Sequence, residues 1–188
     1  MKKIPDNAKK VFEGIIFDVY HWDQEMFDGS VSTFEAIKRG DSVTVLATVG
    51  DQFLINKEEQ PGREPFYAVP GGRVDKGEDP LIAAQRELLE ETGYVSTSLV
   101  HWFTIDASDM AKIEWNSHYY LAKDCKKEKE VTLDSGEKIQ TELVNLDRLL
   151  ELSDGLGNRN KGLKDVLKKV ADNDKEKQKL KDLLGITT

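Results

Sequence analysis

A chain of 188 residues, 38% hydrophobic and 33% charged, has the composition of a folded globular protein and the length of one domain with additions. Its net charge of −8 opposes broad attraction to nucleic acid or to an anionic membrane surface, but leaves open a small phosphorylated substrate whose charge is met by a bound cation. The single cysteine, Cys125, excludes an intrachain disulfide and a cysteine-based zinc cluster, and reads as a structural or surface thiol.

In chain order, MKKIPDNAKK is charged and interrupted by Pro5, has no apolar signal core behind it, and is followed by no run of membrane-spanning length; a cytoplasmic protein is expected. EGIIFDVYHW, from Glu13 to Trp22, is rich in β-branched and aromatic residues, and Asp28-Gly29 is a turn signal. An N-terminal hairpin or small sheet is predicted, a β extension over residues 1–41. From Ser42, the alternation of Val43, Val45, Ala47 and Val49 predicts a strand, and after Gly50-Asp51 a second strand runs around Phe53 and Ile55, so the main sheet begins here. KEEQPGREP, with Pro61, Gly62 and Pro65, is a polar loop at the border of a candidate ligand cleft. Arg63 in this loop and Arg73 after the glycine pair Gly71-Gly72 are candidate substrate contacts.

The next element is a helix with its punctuation intact: Asp79 as N-cap, Pro80 at the first helical position, Gly93 as the C-terminal stop. At about 100° per residue, Leu81, Ile82, Ala84, Leu88 and Leu89 cover one arc, while Glu87, Glu90 and Glu91 gather on the other side around Ala83. Like charges at these spacings repel by about 0.2–0.5 kcal/mol per pair, and acids near a helix C-terminus oppose the macrodipole. Two readings fit the carboxylates alone, a solvated acidic face or a site for a hard divalent cation such as Mg²⁺, Mn²⁺ or Ca²⁺. Arg86, directly before Glu87, has several carboxylates to pair with and to hold in fixed rotamers.

Beyond the helix, LVHWFTI and IEWNSHYYLA read as strands, KKEKE as a charged loop or hairpin tip, LDSG as a turn, KIQTELVNL as a strand and LDRLLEL as a short helix. Leu163, Val166, Leu167 and Val170, then Leu180, Leu183 and Leu184, recur at helical spacing and predict terminal helices packed on the body. His21, His101 and His118 are widely spaced and read as strand or surface residues, and Trp22, Trp102 and Trp115 as core or interface, with stacking on a base as the alternative for one of them.

Taken together, Gly72, Glu78, Arg86-Glu87-Leu88, Glu90-Glu91, Gly93 and Tyr94 resemble the Nudix box at every defining position and at its spacing. The resemblance implies an α/β protein, a Nudix-type α/β/α sandwich with a mixed β-sheet, here with an N-terminal β extension, a hydrolase domain over residues 42–155 and a helical segment over 156–188. It implies hydrolysis of a nucleoside diphosphate linked to another moiety, with Mg²⁺ or Mn²⁺ held by Glu87 and Glu91, assisted by Glu90 and the Gly71 carbonyl. Cations are required because an anionic diphosphate repels its nucleophile; they neutralise its oxygens, orient the linkage and lower the pKa of the attacking water. Glu90 is the candidate general base and Arg86 a catalytic-site residue.

Outside the box, the N-terminal β region, the strand pair and the late GEKI segment are similar to ADP-ribose pyrophosphatases and related nucleotide-sugar hydrolases, which implies a homodimer and a late-loop acid, Glu137, completing the metal site. The chain departs from that subgroup at Ala68, where many members carry an acid, and in lacking a proline marker after the box, so GDP-mannose or another sugar nucleotide stays beside ADP-ribose as substrate. Hydrolysis of nucleoside triphosphates and a non-catalytic nucleotide sensor are the further alternatives; with every box glutamate present, catalysis is favoured, and no strong basic groove speaks for an RNA partner.

Overall fold

The first strands are set by alternation and by one tight turn. In the computed structural model, which describes residues 4–106, 112–131, 138–157 and 160–187, β1 (Lys9–Glu13), β2 (Phe17–Glu25) and β3 (Val31–Arg39) form an antiparallel meander. The β2–β3 turn closes with Met26 N–H donating to the Ser30 carbonyl at 2.8 Å, and Gly29 supplies the positive φ of 80°. Within the EGIIFDVYHW run, Gly14, Ile15 and Ile16 are the bend between β1 and β2, and Ile15 is 95% exposed.

The main sheet contains β4 (Ser42–Val49), β5 (Gln52–Glu59), β6 (Phe66–Ala68), β8 (Ser98–Asp106), β10 (Asn116–Lys123) and β12 (Lys138–Val144). Its order is β12-β5-β4-β10-β8, with β6 on β5; β4 and β10 run parallel and the other pairs antiparallel, so the sheet is mixed. β7 (Tyr94–Val95) pairs with β11 (Lys126–Lys127), which places part of the KKEKE run in a strand. β9 (Ile113–Glu114) lies parallel to β3 and ties the N-terminal sheet to the segment entering β10.

The period-2 pattern of β4 divides the core. Val43, Val45 and Ala47 face helix α1 (Pro80–Thr92), together with Leu54, Val74, Ala83, Ala84, Leu88, Tyr120, Ala122 and Cys125. Leu46, Phe53, Ile55, Tyr119 and Leu121 face the opposite layer, which is built from α2 (Leu146–Leu152), α3 (Lys161–Asp172) and α4 (Asp174–Leu184) through Leu149, Leu163, Leu167, Val170, Leu180 and Leu184. The molecule is thus an α/β/α sandwich with a mixed sheet, in which the terminal helices complete the second core. Cys125 is 3% exposed, and burial pushes its thiol up to about 11, which makes it an inert core residue at neutral pH. No helix among the described residues is long and apolar enough to cross a membrane.

Candidate active site

Helix α1 is held at both ends as its sequence requires. Asp79 Oδ1 accepts from the Leu81 N–H at 2.8 Å, and Gly93, at φ 73°, donates its N–H to the Leu89 carbonyl at 2.8 Å. The Gly93 carbonyl in turn accepts the Glu128 N–H at 2.8 Å, which draws the 126–130 run alongside β7.

The helix is rotated relative to the sequence reading. Ala83, Ala84, Leu88, Glu91 and Thr92 are the buried positions, whereas Ile82 is 52% exposed. Glu91 therefore does not share the outer face with Glu87 and Glu90; it is 5% exposed and points into a polar pocket. Two donors make that burial tolerable: its Oε2 accepts from Asn56 Nδ2 at 3.0 Å and from the Gly71 N–H at 3.1 Å. Asn56, fully buried on β5, accepts from Thr141 Oγ1 on β12 at 3.0 Å, and Thr141 sits directly opposite it in the strand register. Neither Asn56 nor Thr141 carries a signal in the motif, because both are placed by strand pairing far along the chain.

Arg86 organises the outer carboxylates. Its Nε and Nη2 donate to Glu78 Oε1 and Oε2, both at 3.0 Å, in a two-pronged pair; Nη1 donates to Glu87 Oε1 at 2.8 Å and to Glu90 Oε2 at 3.2 Å; Nη2 also reaches the Arg73 carbonyl at 3.0 Å. These bonds with Arg86 hold the Glu78 carboxyl below its ordinary range, and the Glu78 contacts, followed by those of Glu87, raise the guanidinium further above its own against the opposing effect of burial. Hydrogen bonds to charged groups contribute roughly 1.5–3 kcal/mol each when sheltered, and less here because the Arg86 side chain is 28% exposed. Even so reduced, several of them exceed the few tenths of a kcal/mol lost to each carboxylate pair on the helix. The acidic helix is held by its own arginine.

The glycine pair fits into this arrangement by lacking side chains. The Pro70 and Gly72 carbonyls accept from the Val45 and Val43 N–H groups at 2.8 and 2.9 Å, docking the segment on β4 and leaving the Gly71 carbonyl outside that pairing. A Cβ on Gly72 would overlap the Glu87 carboxylate, with even its farther oxygen only 2.7 Å away, and one on Gly71 would collide with the Val43 carbonyl. Glu87, Glu91 and the Gly71–Gly72 backbone thus converge on one place, with Glu90 at its rim. The side chains of Glu87 and Glu90 are 13% and 42% exposed, so Glu90 is the outer acid that meets solvent.

An all-oxygen donor set of this kind fits a hard divalent cation. Among the described residues, no group of three or more histidine, cysteine, aspartate or glutamate side chains is gathered closely enough to hold a metal ion by itself. In this arrangement Glu87 is engaged by Arg86, and Glu91 by Asn56 and Gly71. Glu137 lies outside the described residues.

Among the described residues, Arg39, Arg63 and Arg73 have no carboxylate partner, whereas Arg86 and Arg148 do. Arg73 adjoins the box through its carbonyl and donates Nη1 to the Ile15 carbonyl at 3.4 Å. Arg63 bonds Gln60 at 3.4 Å and covers the Phe66 ring at 4.4 Å, and no contact joins it to the box. Arg39, which sequence reasoning passed over, lies 4.7 Å over the Trp115 ring, and burial and then the charge of Arg73 push its guanidinium below its usual range. His21, His101 and His118 are all on strands; His118 Nε2 is 3.2 Å from Asp41 Oδ2, and Thr104 Oγ1 bridges His101 and His118.

Comparison with known proteins gives a consistent picture. A NUDIX domain model matches residues 38–166. A methanol dehydrogenase activator from Bacillus methanolicus and an ADP-ribose pyrophosphatase from Bacillus subtilis are each 30% identical over 147 residues, 77% of this chain and 79% of the relative. An RNA pyrophosphohydrolase from Brucella ovis is 40% identical over 73 residues, 39% of each chain. A crystal structure of an ADP compounds hydrolase matches with a TM-score of 0.64 over 79% of this chain and 81% of that one, at 22% identity, a likeness of fold.

Proposed function

Because this chain belongs to the Nudix family and is a Nudix hydrolase, we propose that it uses Mg²⁺ or Mn²⁺ to hydrolyse the diphosphate linkage of ADP-ribose to AMP and ribose 5-phosphate. The observation that carries this reading is the convergence of Glu87 and Glu91 on the Gly71–Gly72 backbone, with Arg86 fixing the outer acids. The substrate choice is supported by the likeness to an ADP-ribose pyrophosphatase over 77% of the chain.

In this reading Glu87, Glu91 and the Gly71 carbonyl hold the cation, with Glu90 assisting. The cation supplies charge neutralisation at the diphosphate and a lowered pKa for the attacking water. Glu90, the most exposed of the three acids, would be the group placed to accept a proton from an attacking water. Arg86 keeps Glu87 and Glu90 in their rotamers, and Gly72 leaves the volume that the Glu87 carboxylate fills. Arg73 and Arg63 bind substrate; their lack of carboxylate partners among the described residues, in a chain of net charge −8, supports anion recognition. A cytoplasmic location belongs to the same proposal, as do a β extension over residues 1–41, a hydrolase domain over 42–155 and a helical segment over 156–188.

A panel of ADP-ribose, GDP-mannose and a nucleoside triphosphate with Mg²⁺, read by product identification, tests the substrate. ADP-ribose turned over to AMP and ribose 5-phosphate is the expected result; cleavage of GDP-mannose alone would replace the substrate and keep the mechanism. Glu137 enters by position, on the segment leading into β12. Glu137→Gln is expected to lower kcat strongly and to change substrate affinity less, the pattern of lost transition-state stabilisation; equal kcat values would remove it from the site.

The protein is proposed to be a homodimer paired through the N-terminal sheet. Phe12, Ile15, Phe27 and Val31 are 60%, 95%, 113% and 65% exposed there, an apolar set that association would cover. Light scattering should give a dimer at micromolar concentration, and a monomer across that range would remove this part of the account. Deleting the residues before Ser42 should disturb association or substrate binding before it affects α1, since it also strips Arg39 from Trp115.

A further inference from the structure

The buried side of the Glu91 carboxylate is built from parts of three elements, and none of the box residues explains it. Asn56 on β5 is fully buried, yet its amide serves neither a turn nor a cap: Nδ2 donates to Glu91 Oε2 at 3.0 Å, and Oδ1 accepts from Thr141 Oγ1 at 3.0 Å. An ionised carboxylate only accepts, so it takes the NH₂ end of the amide and leaves Oδ1 to be satisfied elsewhere. The Thr141 hydroxyl does this: it donates to Oδ1 at 3.0 Å, closer than its second acceptor, the Glu91 carbonyl, at 3.4 Å, and so holds the amide with its NH₂ group toward Glu91. The Gly71 N–H meets the same carboxylate oxygen at 3.1 Å.

We propose that Asn56 and Thr141 are positioning residues for Glu91: together they fix one carboxylate oxygen, and with it the rotamer of the whole group, so that Glu91 is presented to the cation in one orientation. The inference rests on the assignment of Glu91 as a cation ligand. It adds a chain of control that the motif does not contain, from β12 through β5 to α1. Because Thr141 and Asn56 are a directly opposed pair in the sheet, any shift of β12 relative to β5 is transmitted to the Glu91 carboxylate.

The test uses Mn²⁺ titration of the free protein followed by electron paramagnetic resonance, with thermal melting and steady-state kinetics alongside. Thr141→Val keeps the shape and removes the hydroxyl, whereas Thr141→Ser keeps the hydroxyl and removes a methyl group. Positioning predicts that Thr141→Val weakens Mn²⁺ binding about tenfold or more, as loss of a group orienting a ligand does, and lowers kcat more than it raises KM. Thr141→Ser should stay near wild type. If Thr141 matters only for packing, Ser is the more damaging change and Val the milder, and that order would overturn the inference, as would a Thr141→Val protein that binds Mn²⁺ like wild type. Glu91→Gln is the control. If it loses Mn²⁺ while Thr141→Val does not, the positioning role alone fails; if Glu91→Gln binds Mn²⁺ like wild type, the ligand assignment fails and the inference falls with it.

Discussion

Glu87→Gln and Glu91→Gln are each expected to lower kcat on the order of a hundredfold or more at saturating Mg²⁺, since replacing a group that merely orients a metal ligand already costs 10–100-fold. The fold should survive both changes. A glutamine at position 91 retains an oxygen for the Asn56 and Gly71 donors, and one at position 87 retains an oxygen for Arg86. In Glu87→Gln, removing one negative charge from the helix face that also carries Glu90 relieves repulsion of about 0.2–0.5 kcal/mol per pair, partly offset by a weaker bond to Arg86. Melting temperatures within a few degrees of wild type, together with the loss of turnover, are the expected pair of observations. Near-normal turnover in both variants would falsify the ligand assignment.

Gly72→Ala should be nearly as harmful although it removes no functional group. The added methyl group would occupy the space of the Glu87 carboxylate, which would have to swing away, taking its bond to Arg86 Nη1 with it. The group that must move is a flexible side chain end, so the expected cost falls on catalysis rather than on folding: a drop in kcat approaching that of Glu87→Gln, with a cooperative melt. Gly71→Ala should differ in kind. There the new Cβ meets the Val43 carbonyl, which is backbone of a central strand and cannot give way cheaply; overpacking of this sort costs about 1–3 kcal/mol, occasionally more. A Gly72→Ala enzyme with wild-type kcat would show that the Glu87 rotamer in the structure is not the one that works.

The part of the site that was legible in the sequence is the part written locally. Asp79-Pro80 and Gly93 bound the helix, the box residues carry their own spacing, and the alternation of β4 separates the two cores. The reading of α1 failed where long-range contacts decide. A helical projection sends every glutamate outward, because nothing in the window from Pro80 to Thr92 announces that Asn56, 35 residues earlier, and the Gly71 backbone offer Glu91 two buried donors. Ile82 was given to the core for the mirror-image reason: its hydropathy favours burial, but the small Ala83 and Ala84 are what the helix turns toward β4. The KKEKE run reads as a charged loop or hairpin tip; its five residues are exposed, and what the local sequence does not announce is that Lys126 and Lys127 pair with β7 and that the Gly93 carbonyl takes the Glu128 N–H. Arg39 was passed over because its meaning comes from Trp115 and Arg73, neither of them near it in sequence.

The central claim is that this domain directs water onto a nucleoside diphosphate linkage with the help of a divalent cation. It is tested most directly by ³¹P nuclear magnetic resonance of the purified protein with ADP-ribose in ¹⁸O-enriched water, with Mg²⁺ present and then chelated. The account predicts that AMP and ribose 5-phosphate appear together, that ¹⁸O enters the phosphate of one of them, and that both signals stop growing when Mg²⁺ is removed and resume when it is restored. Undiminished product formation after complete chelation, or products free of solvent oxygen, would contradict it.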